Sequence, residues 1–237
     1  MQISIIQSQL IQSPIQWTVS FNDITGSTND DVMQAKAFPA LAVAGSQRSG
    51  RGRRANQWHA QKGDLLFSVA CASNRSLHNA LSLQVGCAVA QTLNQHHPDP
   101  CFHVKWPNDV LWVSETEVVK VGGILVEKKP QNEGNLWVVG VGINLASSPV
   151  MHRIKSTAET LIVQIASQAY NLVDQPQALD VEVFNALHAL NQSDITFMDG
   201  STVKQGKVVG VGGDGALRIE QEGRITHYHH IHSLRRI

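Results

Sequence analysis

Apolar and polar positions along this 237-residue chain follow two rhythms, one of strands and one of helices. Trp17–Phe21, Leu41–Ala44 and Leu65–Ala70 are short apolar runs of strand length. From Ser76 the rhythm changes. Leu77, Leu81, Val85, Ala88, Val89 and Leu93 recur at the spacing of one helical face, which predicts a buried helix. Strand-like runs then return at Phe102–Trp106, Val110–Val113, Val118–Val126 and Leu136–Val141. The segments joining them, Pro107-Asn108-Asp109, Ser114–Glu117 and Lys128–Asn135, are too short for helical crossovers, so these strands are antiparallel neighbours. Thr157–Leu172 and Ala178–Leu190 carry helical patterns, and Ser27-Thr28-Asn29-Asp30-Asp31 has the texture of a helix start with Thr28 as cap. The pattern predicts an α+β domain, with a mixed, largely antiparallel sheet and packed helices.

After Asn191 the texture becomes Gly-rich, with short alternating runs at Lys207–Val211, Ala216–Glu220 and Arg224–Tyr228. This predicts a small C-terminal β-barrel. The expected division is 1–191 and 192–237. No internal repeat or low-complexity segment interrupts either part.

Charge changes the picture locally. Lys+Arg and Asp+Glu are both 19, so general attraction to nucleic acid or an anionic membrane is not expected. Yet no acidic residue lies between Asp31 and Asp64, while Arg48, Arg51, Arg53 and Arg54 crowd one stretch. A neutral chain that gathers guanidinium groups in this way builds a local anion site or basic patch. Cys71, Cys87 and Cys101 form no CxxC pair and are odd in number, which fits a reducing compartment. The N-terminus lacks the basic start of a signal peptide, and no apolar run approaches the ~20 residues of a membrane span. A cytoplasmic protein is expected.

Four segments carry candidate chemistry. Gln47-Arg48-Ser49-Gly50-Arg51-Gly52-Arg53-Arg54-Ala55-Asn56-Gln57-Trp58 interleaves glycines with arginines. The glycines permit close approach and positive φ, the guanidinium forks suit phosphate and carboxylate, and Trp58 offers a flat face. Val104-Lys105-Trp106-Pro107-Asn108-Asp109-Val110 projects Asn and Asp from a rigid turn. Val119-Lys120-Val121-Gly122-Gly123-Ile124-Leu125-Val126-Glu127 sets paired glycines in an apolar strand, the mark of a bulge or a close ligand approach. Val138-Val139-Gly140-Val141-Gly142-Ile143-Asn144-Leu145 repeats that theme at a strand end. Read singly, each has a plain structural alternative: a solvated basic loop, a hairpin turn, a bulged core strand.

Together, in this order and spacing, they resemble the catalytic domain of the biotin–protein ligase family. That family has a GRGRR loop, a KWPND turn, a K-x-x-GIL-E strand and a G-x-GIN strand end. Ser27-Thr28-Asn29 matches its STN segment, and Gly212–Leu217 and Ser233-Leu234-Arg235 give a weaker echo beyond. The resemblance implies a class II synthetase-like core with an SH3-like C-terminal barrel. It implies an enzyme that joins biotin to ATP as biotinyl-5'-AMP, with Mg²⁺, then transfers biotin to a lysine of the biotin carboxyl carrier protein of acetyl-CoA carboxylase. Carried over, the biotin-binding positions are Ser27, Thr28, Asn29, Gln47, Gly50, Arg51, Gly52, Arg53, Lys120, Gly123 and Gly140. The ATP-binding positions are Arg53, Arg54, Trp58, Lys105, Asn108, Asp109 and Asn144. Arg51, Arg53 and Lys120 are the implied catalytic cations.

Departures from the family pattern are Ala55-Asn56 for Gly-Arg, Gly26 for an Asp, and the run His227-Tyr228-His229-His230-Ile231-His232. In a strand this run puts two histidines on each face, fewer than a structural zinc site needs. Two alternatives stand beside the ligase: a biotin-binding sensor without transfer, and a lipoate ligase on the same fold. About twenty residues precede the first core strand, too few for a DNA-binding domain, so no DNA partner is expected. A sheet edge could pair with the carrier or with a second copy in a homodimer.

Overall fold

A computed structural model of the chain describes residues 1–74, 80–99 and 101–237. Its larger sheet has seven strands: β1 (Thr18–Asn22), β2 (Ala40–Ala44), β3 (Leu65–Ser73), β4 (Phe102–Lys105), β5 (Asp109–Val113), β6 (Val118–Pro130) and β7 (Asn135–Ile143). They lie in the order β1-β2-β3-β7-β6-β5-β4. β1 runs parallel to β2, and the remaining neighbours are antiparallel, so the sheet is mixed and largely antiparallel as the pattern predicts. β6 and β7 run further than expected, and the turn between them shrinks to Gln131–Gly134, where Gly134 takes φ 78°.

The sheet's two faces differ in side-chain size. On one, Leu41, Val43, Phe67, Val69, Val139 and Val141 meet helices α1 (Ile3–Ile11), α3 (Leu81–His96) and α4 (Ala158–Asp174) in the main core. On the other, Ala40, Ala42, Ala70, Leu136 and Val138 pack around Val32 of the short helix α2 (Thr28–Met33). Strand alternation places Ser68, Gly140 and Gly142 on this second face too. Runs of Ala, Ser and Gly leave it hollow, and the candidate site fills that hollow.

The expected helix start at Ser76 and Leu77 lies outside the described residues. α1 was not foreseen; it buries Ile6 and Leu10, one turn apart, against α4. α4 matches the expected Thr157–Leu172 span and is capped by Thr157, whose hydroxyl accepts from Thr160 N. The run expected as a helix over Ala178–Leu190 is helical only at Val181–Leu187, as α5. Asp180 caps its start, and at its end His188 turns extended to bridge Val104 of β4. Thr28 does not cap α2. Gln47 Oε1 takes its backbone N–H instead, at 2.7 Å.

The C-terminal part is a five-stranded antiparallel sheet of β8 (Asp194–Asp199), β9 (Thr202–Val211), β10 (Leu217–Gln221), β11 (Arg224–Tyr228) and β12 (His232–Arg236). Its order is β11-β10-β9-β8-β12, with a bulge between Arg218 and Ile219. Its core side chains, including Phe197, Val208 and Leu217, join the main core without a break. Polar ties cross the junction, among them Trp106 Nε1 donating to Gly215 O at 3.0 Å and Val211 N donating to Asn185 Oδ1 at 3.1 Å. Among the described residues no helix is long and apolar enough to cross a membrane.

Candidate functional site

The hollow encloses about 280 Å³. One wall is polar yet buried. Ser27, Thr28 and Asn29 open α2 and line the hollow, and Ser68 stands behind them in the middle of β3, all with almost no exposure. Ser68 Oγ lies 2.7 Å from Thr28 Oγ1 and 2.5 Å from Asn29 Oδ1. A hydroxyl has one proton, so Ser68 accepts from one partner while donating to the other; Asn29 Oδ1 can only accept. The arrangement is therefore a relay, Thr28 to Ser68 to Asn29, and Asn29 Nδ2 passes it on to Glu127 Oε2 at 2.5 Å. Gln47 braces it from the far side, its Oε1 accepting from Thr28 N. Each such group left unpaired in this dry setting costs about 1–3 kcal/mol, so the network is fixed in place.

The floor is made of glycine. Gly123 and Gly142 face each other on β6 and β7, and Gly140 follows. A Cβ on Gly142 would meet the Trp58 indole at 2.5 Å, one on Gly123 would meet it at 3.0 Å, and one on Gly140 would run into the Asn29 amide. The paired glycines do mark a bulge: Val110 pairs with Gly122 but Leu111 with Lys120. Trp58 thus lies flat over bare backbone, with Lys120 Nζ 5.6 Å from its ring centre.

The arginine loop is a tight hairpin. Trp58 N donates to Gly50 O at 2.8 Å, Gly52 N donates to Asn56 O at 2.7 Å, and a short 3₁₀ turn forms its tip. The left-handed residue there is Arg54, at φ 56°, rather than the glycines at 50 and 52. Arg51 reaches back to α2, where its guanidinium grips both oxygens of Asp30 at 2.7 Å and Glu127 at 3.3 Å. The Asp30 hydrogen bond raises the Arg51 pKa, and the same bond lowers that of Asp30.

The opposite wall is the turn between β4 and β5. Asn108 is sewn to β6: its Nδ2 donates to Ile124 O and its carbonyl accepts from Ile124 N, each at 2.9 Å. This leaves Lys105 and Asp109, paired across the turn, facing the hollow. Lys120 Nζ takes Asp109 Oδ1 at 2.7 Å. Behind the turn, Trp106 N donates to His188 Nε2 at 3.2 Å. Burial, with Lys105 nearby, holds the His188 imidazole down at a pKa of about 3, so it stays neutral and accepts.

The cations divide into two groups. Arg51 and Lys120, two of the implied catalytic cations, hold protein carboxylates. Arg53 and Lys105 have no hydrogen-bond or ion-pair partner among the described residues, and both line the hollow. Their pKa values are lowered, first by burial; neighbouring Arg54 adds to this at Arg53, and Lys120 and Arg235 at Lys105. Asp109 acts on both from a distance, without a hydrogen bond or ion pair to either, so these two half-buried cations make a site for an added anion.

Of the residues the sequence singles out, Ser27, Thr28, Asn29, Gln47, Arg51, Gly52, Arg53, Arg54, Trp58, Lys105, Asn108, Asp109, Lys120, Gly123 and Gly140 line this one hollow. Gly50 and Asn144 do not. Gly50 lets the loop limbs close, since a Cβ there would meet Trp58 O at 2.8 Å. Asn144 anchors its strand end, donating from N to Val121 O at 2.8 Å, while its buried Oδ1 lacks a partner among the described residues. Sequence reasoning missed Ser68, Asp30 and the tethering carboxylate Glu127. For Ser68 the signal was a lone hydroxyl inside an apolar strand. It also missed Ile231–Leu234, which close the hollow from the C-terminal sheet, with Arg54 Nη2 donating to Ile231 O at 3.4 Å. No cluster of three or more His, Cys, Asp or Glu capable of holding a metal occurs among the described residues.

Comparison with known proteins fits this geometry. The sequence model of the biotin/lipoate A/B protein ligase family matches residues 21–144. A biotin–[acetyl-CoA-carboxylase] ligase of Paracoccus denitrificans is 30% identical over 171 residues, covering 66% of this chain and 66% of that protein. A human biotin–protein ligase is 28% identical over 117 residues, covering 46% of this chain. The match spans 15% of the human protein, so in neither relative does it reach two thirds of the length. The solved structure of a biotin protein ligase from Aquifex aeolicus, in complex with biotin and ATP, superposes with a TM-score of 0.74 at 22% identity. It covers 93% of this chain and 99% of that one, a likeness of fold.

Proposed function

The chain belongs to the biotin/lipoate A/B protein ligase family, and on that premise we propose that it is a biotin–protein ligase. It activates biotin with ATP as biotinyl-5'-AMP and passes the biotinyl group to a carrier lysine. The observation that supports this most is the pairing of a buried hydroxyl and amide wall with the unpartnered cations Arg53 and Lys105 in one hollow. The ureido ring of biotin is polar on its edges, and Ser27, Thr28 and Asn29, braced from behind by Ser68, offer matching donors and acceptors.

In the first step a biotin carboxylate oxygen attacks the α-phosphorus of ATP. The bond from that phosphorus to the β-bridging oxygen breaks, and pyrophosphate leaves with the electron pair. Both reactants are anions, so Arg53 and Lys105 lower the barrier by neutralising them where they meet. Trp58, flat on its glycine floor, covers the adenine, and the loop excludes water from the mixed anhydride. Mg²⁺ would accompany ATP and neutralise phosphate charge; Asp109 is a carboxylate of the kind it accepts, with phosphates completing the set. In the second step a carrier lysine amine attacks the acyl carbon, an amide forms, and AMP leaves. The carrier domain of acetyl-CoA carboxylase is the acceptor we propose, in the cytoplasm.

Incubating the protein with ATP, Mg²⁺, biotin and a carrier domain tests this. A mass gain of one biotinyl group on one lysine is the expected result. Adenylate without transfer would favour a sensor, and preferential use of lipoate would favour the sister activity.

A further inference from the structure

A second cavity of about 480 Å³ adjoins the hollow, sharing with it Arg53, Trp106 and Pro107 but none of the Ser27–Asn29 wall. Its remaining polar lining comes from Ser82 at the start of α3, from Asp214 between β9 and β10, and from His229 and His230 between β11 and β12. We propose that this cavity is the exit site for the pyrophosphate released in the first step, with the histidine run as its receiving surface; the proposal rests on the ligase reading.

Three observations support it. Arg53, desolvated and free of any carboxylate partner among the described residues, borders both cavities, so one guanidinium can follow a phosphate from one to the other. The two imidazoles stand side by side, with ring centres 6.3 Å apart. The His230 ring has an N–H to donate in either tautomer, whereas an Nε2–H on His229 is directed to Asp214. Asp214 Oδ2 lies 3.4 Å from His229 Nε2 and orients that ring. Geometry of the reaction gives the direction. Attacking and leaving oxygens lie roughly in line on opposite sides of the phosphorus. The leaving group must therefore depart away from the biotin wall, and the second cavity shares Arg53 with the hollow but no residue of that wall. The histidine run thus gains a role other than metal binding.

The test is titration of the full chain with pyrophosphate, followed by ³¹P NMR, for the natural protein and a His229→Ala/His230→Ala double variant. A His229→Phe/His230→Phe pair, which keeps ring volume and removes the N–H donors, guards against a packing effect, and thermal unfolding checks that both variants fold. Pyrophosphate affinity should fall at least about tenfold in both, since each lost hydrogen bond to a charged group is worth about 1.5–3 kcal/mol. Affinity equal to that of the natural protein in either folded pair would overturn the site. So would an absence of pyrophosphate binding by the natural chain. Adenylate formation is measured separately. Histidine-dependent pyrophosphate binding without adenylate would keep the anion site and sink the ligase reading. Adenylate with histidine-independent binding would do the reverse.

Discussion

At the scale of single residues, the site depends on side chains whose neighbours define their state. Ser68 holds Thr28 and Asn29 together in a buried place. Ser68→Ala should cost about 1–3 kcal/mol of stability, because it leaves buried groups unpaired. It should also weaken biotin binding, and calorimetric titration with a urea melt would show both. His188 makes a pH signature. Its folded pKa of about 3 lies below the ordinary 6.5. Below pH 6.5 the unfolded chain binds a proton that the folded chain refuses, so stability falls as pH drops from 6.5 towards 3, by up to about 1.4 kcal/mol per unit. His188→Gln should flatten that decline in urea midpoints measured across the range. An unchanged slope would remove His188 as its source.

Elements show how much the sequence already disclosed. The strands of the antiparallel meander, the buried helix and the Gly-rich C-terminal texture were legible because period and turn length are local properties. α1 escaped because its nine residues bury only two side chains, Ile6 and Leu10. α5 came out short because Asp180 caps it late and His188 leaves it for β4, and the latter is a tertiary event. The four motifs identified the hollow's lining, but not which cations would be partnered. That depended on α2 bringing Asp30 to Arg51 across 21 residues, a pairing no spacing rule predicts. The consequence is testable. Arg51 clamps the loop to α2 through exposed carboxylates, and such pairs are worth little in stability. Asp30→Asn should leave the melting temperature nearly unchanged. It should release adenylate several-fold faster, measured by filter binding of labelled biotin. Unaltered release would mean the clamp does not govern the loop.

For the whole molecule, the two sheets act as one unit. The core runs through both, and Ile231–Leu234 close a hollow whose other walls belong to the larger sheet. The Trp106 indole, donating to Gly215 O, fixes the C-terminal sheet to the turn that carries Lys105 and Asp109. Trp106→Phe should therefore lower stability by about 1–3 kcal/mol and raise KM for ATP while leaving biotin affinity largely intact. The direct test of the account is single-turnover formation of biotinyl-adenylate by the natural protein and by Arg53→Ala. The natural chain should form one adenylate per molecule, and the variant should do so about 10²–10³ times more slowly while remaining folded. Equal rates, or no adenylate from the natural chain, would contradict it.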